Sequence, residues 1–196
     1  MRSSLRIPVG TMPDKTENYY FVGFSELSDY ADSIASKIVS KLGKPLGIGY
    51  IQRGGMVFAR LLSDRLGVSN MFCIYASSYP GRDGKVKNFD MQFPDMPENF
   101  KAGDYLLIVD DISDSGYTLE KAVRGIKILN SINVATATAV CKKGTDFVPD
   151  FYGREVEKKY WVVFEYEKAE TTSSIKDYKT ADVAGSGRIP RWLKGH

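Results

Sequence analysis

The stretch VDDISDSGYTLEKAV (residues 109–123) places three acids between positions 110 and 114, after an apolar run and before a helix-like segment. The run YLLIVD (105–110) predicts a buried strand, and YTLEKAVRGIKILN (117–130) has the apolar spacing of an amphipathic helix. Several N–H groups of the intervening loop should point into one concavity at the positive end of the helix dipole. Crowded carboxylates repel one another, so the stretch predicts a cationic or polyhydroxyl partner.

Small polar residues in this loop predict a phosphate cradle. Three of them offer hydroxyl donors: Ser113, Ser115 and Thr118. Gly116 would allow a positive φ or a close approach of the backbone. Asp110 and Asp111 are expected at the rim, where carboxylates accept hydrogen bonds from sugar hydroxyls or hold a hydrated Mg²⁺. An isolated pair of acids at a strand end is more often a solvated charge pair, and only the complete 110–118 pattern favours the binding interpretation.

Strands and helices alternate along the rest of the chain. The apolar positions from Leu27 to Leu42 predict a helix with Ser25 as N-cap, and a second helix should end at Gly67. Buried strands are predicted at 46–51, 71–77, 133–140 and 160–166, a short strand or packing arm at 19–24, and a long polar loop at 78–104. This alternation predicts an α/β fold with a mostly parallel sheet flanked by helices, whose ligands bind beyond the carboxyl ends of the strands.

Composition excludes several classes of protein. Of 196 residues, 43% are hydrophobic and 26% charged, which is the balance of a globular chain. The net charge of +3 is too small to predict a nucleic-acid partner, and no apolar stretch is long enough to predict a membrane span. Cys73 and Cys141 lie in apolar runs and are expected to be buried free thiols, so we expect a cytoplasmic protein.

The stretch LLIVDDISDSGYTL (106–119) closely resembles the 5-phosphoribosyl-1-pyrophosphate (PRPP) loop of type I phosphoribosyltransferases. The resemblance extends over about 26–167. Within it, YIQRGGMVFARLLSDRLG (50–67) is similar to the pyrophosphate loop and the helix after it, and SSY (77–79) to the start of the mobile catalytic loop, which implicates Ser78 and Tyr79. The resemblance implies a phosphoribosyltransferase domain with a small hood over 1–167, and a mobile or partner-packed C-terminal extension over 168–196.

This resemblance also implies which residues bind PRPP. The sugar-phosphate group would contact Asp110, Asp111, Ser113, Asp114, Ser115, Gly116, Tyr117 and Thr118. Pyrophosphate would contact Arg53, Gly54 and Gly55. The implied Mg²⁺ would be held by Asp110 and Asp111, with Glu167 at a position where relatives often have aspartate.

The resemblance further implies an oxopurine as the acceptor base. Asp114 occupies the place of the catalytic acid that faces N7 in 6-oxopurine members, where adenine members usually have alanine. Lys142 would donate to the exocyclic O6, with Lys143 as the alternative if the register is off by one. Trp161 would stack on the base, and Val162 would offer backbone contacts.

These implications predict a purine phosphoribosyltransferase, acting on hypoxanthine, guanine or xanthine and forming a homodimer or homotetramer. An adenine-specific enzyme is the main alternative, and a PRPP-sensing regulator without catalysis is a further one. Two other nucleotide-binding classes lack their motifs: the chain has no GxxxxGK[ST], and GIGYIQRGG (47–55) lacks GxGxxG spacing.

Overall fold

The computed structural model of the chain describes residues 18–80, 86–129, 132–167 and 183–184. Within these ranges the elements are β1 (Asn18–Val22), α1 (Phe24–Leu42), β2 (Gly47–Ile51), α2 (Gly55–Leu66), β3 (Met71–Pro80), β4 (Val86–Gln92), β5 (Tyr105–Ser113), α3 (Tyr117–Leu129), β6 (Asn133–Lys142), β7 (Phe151–Val156), β8 (Tyr160–Phe164) and β9 (Val183–Ala184).

Six strands form the main sheet, in the order β4-β3-β2-β5-β6-β7. Every pairing in it is parallel except that of β4 with β3. Leu107 of β5 packs in the same core cluster as residues of α1 and α2, whereas Leu106 and Ile108 pack with residues of α3. Side chains of a strand alternate between the faces of its sheet, so the helices cover both faces. The predicted α/β fold is therefore confirmed.

The strand β5 lies inside the main sheet and is buried on both of its faces. Tyr105 to Val109 are all buried, as a continuous apolar run in a parallel sheet should be. The strand continues through Asp110 and Asp111 to Ser113, three residues beyond the end predicted at Asp110, so both acids lie on the strand. This extension fixes both acids at the carboxyl end of an interior strand.

A second, three-stranded sheet has the order β8-β1-β9 and forms the small hood. Its central strand β1 pairs in parallel with β8, with Tyr19 opposite Trp161 and Tyr20 opposite Val162. The two residues of β9 belong to the predicted C-terminal extension and add to the other edge of β1. The rest of the predicted 168–196 extension, like residues 1–17, lies outside the described residues.

Two strands at the edges of the main sheet were not predicted. The predicted polar loop at 78–104 contains the end of β3 and all of β4, which pair as a hairpin with Ser78 opposite Phe89 and Tyr79 opposite Asn88. The strand β7 was missed altogether, because only two of the six residues of FYGREV are buried and the stretch includes a glycine and two charges. An edge strand needs only a weak apolar pattern, which explains both errors.

Other details of the sequence prediction differ at element ends. The helix α1 begins at Phe24 with Gly23 as N-cap, two positions before Ser25, which was expected to cap it. Both thiols are free as predicted, although Cys73 is only half-buried whereas Cys141 is buried. In the described part of the chain, no helix has the length and apolar character that a membrane crossing requires.

Candidate active site

Three chain segments meet at the carboxyl edge of the main sheet. They are the turn 52–54 after β2, the end of β5 with the loop 114–116, and the loop 143–147 after β6. The backbone N–H of Asp146 donates to the Ser115 carbonyl at 3.2 Å, which joins the last two segments. Sequence reasoning placed candidate residues in each of these segments, and parallel pairing brings them to the same edge.

The carboxyl groups of Asp110 and Asp111 form an electrostatically unfavourable pair. Asp111 is 7% exposed, and its backbone N–H donates to Asp110 Oδ1 at 3.0 Å. Burial raises the pKa of Asp110 well above its usual range, and the charge of Asp111 raises it further. Burial also raises the pKa of Asp111, while a hydrogen bond from Tyr166 acts in the opposite direction. A cation or a set of hydroxyl donors at this place would relieve the cost of keeping both acids ionised.

The turn at Gly54 and Gly55 packs directly on these acids. A Cβ on Gly54 would lie 2.0 Å from Asp111 Oδ2, and one on Gly55 would lie 2.6 Å from the Val109 carbonyl. The peptide between Gln52 and Arg53 in this turn is cis. Only glycine fits at both positions, which leaves the backbone of the turn unhindered beside the carboxylates.

Loop residues 113–116 do not all face the cradle that the sequence predicted. Ser113 is 1% exposed, and its hydroxyl donates to the Phe147 carbonyl at 3.1 Å. Gly116 has a φ of 81° and is covered by Phe147, whose carbonyl would lie 2.6 Å from an added Cβ. The Ser113 hydroxyl therefore joins two loops together and is not free to bind phosphate there.

The remaining residues of the loop are accessible. Asp114, Ser115 and Tyr117 are exposed, and Thr118 is half-buried. Ser115 Oγ accepts a hydrogen bond from the Tyr117 N–H at 3.3 Å, at the start of α3. These residues lie at the N-terminus of α3, where an anion site is favoured.

The neighbouring lysines at the end of β6 have opposite surroundings. Lys142 is 5% exposed, and its ammonium donates to the carbonyl of Tyr160 in a short contact and lies 3.5 Å from the carbonyl of Lys158. Lys143 is on the surface, where its ammonium pairs with Glu157 at 2.9 Å. Lys142 is thus the inward lysine, and it points to the first residue of β8.

The next residue of β8 is Trp161, which leaves 42% of its surface exposed. Val162 is 9% exposed and packs inward with the core. The carbonyl that Lys142 binds belongs to Tyr160, the residue before Trp161 on β8. The structure therefore anchors the Lys142 ammonium to the strand that carries Trp161.

The segment after β8 brings Glu167 to the same site. Burial raises the pKa of Glu167 to about 7, against the opposing effect of the hydrogen bond from the Phe164 N–H at 2.9 Å. The charge of Asp111 raises this pKa further, and that of Arg53 lowers it. Glu167 is therefore within electrostatic reach of both residues, although the three come from distant parts of the sequence.

Tyr166 is a site residue that sequence reasoning missed. Its hydroxyl donates to Asp111 Oδ2 at 3.1 Å and lies 3.5 Å from the Gly54 carbonyl. A single tyrosine at the end of an aromatic strand gives no signal that separates it from a core residue, and only the three-dimensional contact identifies it.

The predicted mobile residues Ser78 and Tyr79 lie beyond this edge. The strand β3 pairs with β2 only as far as Ile74, and from Tyr75 to Pro80 it pairs with β4 alone. The β3–β4 hairpin therefore extends past the end of β2, on the side of the sheet where the candidate site lies.

Residues 25–171 match the family model of the phosphoribosyl transferase domain, which is most of the chain. The chain therefore belongs to the phosphoribosyltransferase family, a group of glycosyltransferase enzymes, as the stretch at 106–119 predicted.

Particular relatives agree with this assignment. The chain is 30% identical over 155 residues to the xanthine-guanine phosphoribosyltransferase of Gluconobacter oxydans, covering 79% of this chain and 88% of that protein. A purine phosphoribosyltransferase from Pyrococcus horikoshii superposes with a TM-score of 0.63 at 29% identity, covering 74% and 91% of the two chains. The xanthine-guanine-hypoxanthine phosphoribosyltransferase of Helicobacter pylori, at 17% identity and a TM-score of 0.63, shares the fold over 81% of this chain and 99% of that one.

Proposed function

We propose that this protein is a purine phosphoribosyltransferase that transfers the 5-phosphoribosyl group of PRPP to hypoxanthine, guanine or xanthine. The products would be the nucleoside monophosphate and pyrophosphate. The observation that supports an oxopurine most directly is the buried Lys142, whose ammonium binds the carbonyl of the residue before the exposed Trp161. The two relatives of highest identity described above are named for purine substrates, which agrees with this proposal.

Base selection would follow from the chemistry of lysine. An ammonium donates hydrogen bonds and accepts none, so Lys142 favours a carbonyl at purine C6 over an amino group. Trp161 offers a flat apolar surface for the purine ring, and Val162 a backbone edge. A base with an amino group at C6 offers the ammonium no acceptor in place of that carbonyl, so we expect it to bind more weakly.

The other half of the site would bind PRPP. The exposed residues Asp114, Ser115 and Tyr117 lie at the start of α3, where N–H groups favour the ribose 5-phosphate. Asp110 and Asp111, near the end of β5, would accept hydrogen bonds from the ribose hydroxyls. Arg53, followed by Gly54 and Gly55, would bind the pyrophosphate through its guanidinium and two unhindered N–H groups.

The acids also fit a magnesium ion. Carboxylate oxygens are its preferred protein ligands, and Mg²⁺ usually takes one or two of them and completes its shell with water and substrate oxygens. Asp110 and Asp111 supply such a pair: burial raises the pKa of both, the charge of Asp111 raises that of Asp110 further, and Glu167 lies within electrostatic reach of Asp111. When bound, the ion would offset the negative charge that develops on pyrophosphate.

The proposed reaction requires little covalent chemistry from the protein side chains. The bond from ribose C1 to the pyrophosphate oxygen breaks with its electrons on oxygen, and a purine nitrogen forms the new bond to C1 from the opposite face. Arg53 stabilises the leaving charge, and Asp114 takes up the N7 proton of the base. The β3–β4 hairpin with Ser78 and Tyr79 would close over the site, because a ribosyl cation exposed to water would hydrolyse.

We further infer a cytoplasmic protein that forms a dimer or tetramer. The two free thiols support a reducing compartment. The oligomeric state stays a prediction, which light scattering on the purified protein would test.

The proposal is tested by incubating radiolabelled PRPP and Mg²⁺ with a panel of bases and separating the nucleotide products. We expect product with hypoxanthine, guanine or xanthine, and much less with adenine. If only adenine gives a product, the protein is an adenine phosphoribosyltransferase. If only orotate does, the purine assignment is wrong.

A further inference from the structure

The hydroxyl of Tyr166 joins three segments of the site. Tyr166 follows β8 of the hood, Asp111 ends β5, and Gly54 lies in the turn after β2. The phenol oxygen is 3.1 Å from Asp111 Oδ2 and 3.5 Å from the Gly54 carbonyl. A phenol has one proton to donate, and a carboxylate is the stronger of these two acceptors. The proton is therefore directed to Asp111.

The ring of Tyr166 is fixed independently of that hydrogen bond. It stacks on Phe164, with centroids 5.3 Å apart and planes at 10°, and it contacts Phe24 at 6.3 Å. A phenol, whose ordinary pKa is about 10, is protonated at neutral pH, so the hydroxyl remains a donor. The hood thus presents a donor at a place set by its own aromatic packing.

Asp111 Oδ2 also lies against the glycine turn. An added Cβ on Gly54 would lie 2.0 Å from this oxygen, the same one that accepts the phenol proton. The carboxylate is therefore packed against the turn and hydrogen-bonded to the phenol. A side chain that binds its ligand in one orientation gives a higher affinity when it already has that orientation before the ligand binds.

We propose that Tyr166 is a positioning residue that orients Asp111 for PRPP and links the hood to the sugar-phosphate site. It acts through the carboxylate and does not itself touch substrate. The inference rests on the proposed function, since it assigns Asp111 to PRPP.

The test is Tyr166→Phe, which keeps the ring and removes the hydroxyl. Tyr105→Phe is the matched control, because the Tyr105 hydroxyl donates to the Gly43 carbonyl at 2.8 Å from the opposite end of β5. Calorimetry with PRPP and Mg²⁺, without a base, measures the Kd of each protein. A lost hydrogen bond to a charged group should raise the Kd of Tyr166→Phe about 10-fold or more, and leave that of Tyr105→Phe unchanged.

A double-mutant cycle with Asp111→Asn separates positioning from a general structural role. If the phenol acts through the carboxylate, its removal from Asp111→Asn should change the Kd by less than about threefold. Three results would each overturn the inference. They are an unchanged Kd in Tyr166→Phe, equal losses of affinity in Tyr166→Phe and Tyr105→Phe, and a full additional loss of affinity in the double variant. So would a Tyr166→Phe protein that fails to fold, as judged by thermal unfolding. A wild-type protein that binds no PRPP would instead contradict the proposed function.

Discussion

At the scale of single residues, the adjacent side chains of Lys142 and Lys143 differ in their surroundings and therefore in their ability to bind a base. Lys142 is buried against the first carbonyl of β8, whereas Lys143 forms a surface ion pair with Glu157. Sequence alone left the choice between them open, because a register shift of one would exchange their roles. The side-chain directions support Lys142 as the group that reads the base.

Lys142→Ala should therefore lower kcat/KM for hypoxanthine about 10- to 150-fold, since a charge-assisted hydrogen bond of roughly 1.5–3 kcal/mol is lost. Adenine should lose less, because its amino group does not accept that bond. Lys143→Ala is the control and should leave both values unchanged. Steady-state kinetics with the two bases measures this, and equal losses for both in Lys142→Ala would show that Lys142 does not read O6.

Asp114 is exposed at the start of the loop before α3 and is assigned to proton transfer. Asp114→Asn keeps the size of the side chain and removes its basicity. We expect kcat to fall about 100-fold, at the low end of general acid–base effects, while the Kd for PRPP changes little. Single-turnover kinetics and calorimetry measure the two quantities. An unchanged kcat would remove Asp114 from the chemical step.

Residue patterns predicted some of these groups and not others. The acids of β5, the glycines of the turn and Lys142 lie in contiguous motifs, and the structure brings them to one edge. Ser113 belongs to the same motif, but its direction depends on the distant loop at Phe147, which no local pattern reports. Tyr166 was missed for the same reason, since its contact to Asp111 spans 55 residues of sequence.

At the scale of elements, the turn between β2 and α2 depends on close packing against β5. Gly54→Ala would put a methyl group where Asp111 Oδ2 now lies, and that carboxylate is buried. We expect the free energy of unfolding to fall by about 1–3 kcal/mol, the usual cost of overpacking, and PRPP to bind more weakly.

Thermal unfolding and calorimetry check this prediction. Gly23→Ala serves as control, because an added Cβ there meets its nearest described neighbour, Glu165, at an ordinary 3.5 Å. If Gly54→Ala matched the wild type in both measurements, the close contact between the turn and the carboxylate would be contradicted.

Elements were predictable where burial gives a strong pattern. The strands β2, β5 and β6 are mostly buried, so their apolar runs are visible in sequence. The edge strands β4 and β7 have polar sequences that read as loops, because an edge strand depends on pairing with its neighbour more than on its own burial.

At the scale of the whole molecule, the predicted domain ends at 167. All strands of the main sheet precede this position, and of the extension only β9 is described, where it pairs with Tyr19 and Tyr20 of β1. We expect removal of 168–196 to cost the hydrogen bonds of that pairing, about 1–3 kcal/mol, and to leave PRPP binding intact. Chemical denaturation and calorimetry of the shortened protein measure this. Loss of folding would place the extension inside the domain.

The central claim is that the paired acids, the glycine turn and the lysine–indole pair act together on PRPP and an oxopurine. The most direct measurement is the release of pyrophosphate from PRPP with purine and Mg²⁺ added or omitted in turn. Our account predicts release with hypoxanthine, guanine or xanthine only when Mg²⁺ is present, and none when either component is omitted. Equal release without any purine, or release with orotate or uracil in place of a purine, would contradict it.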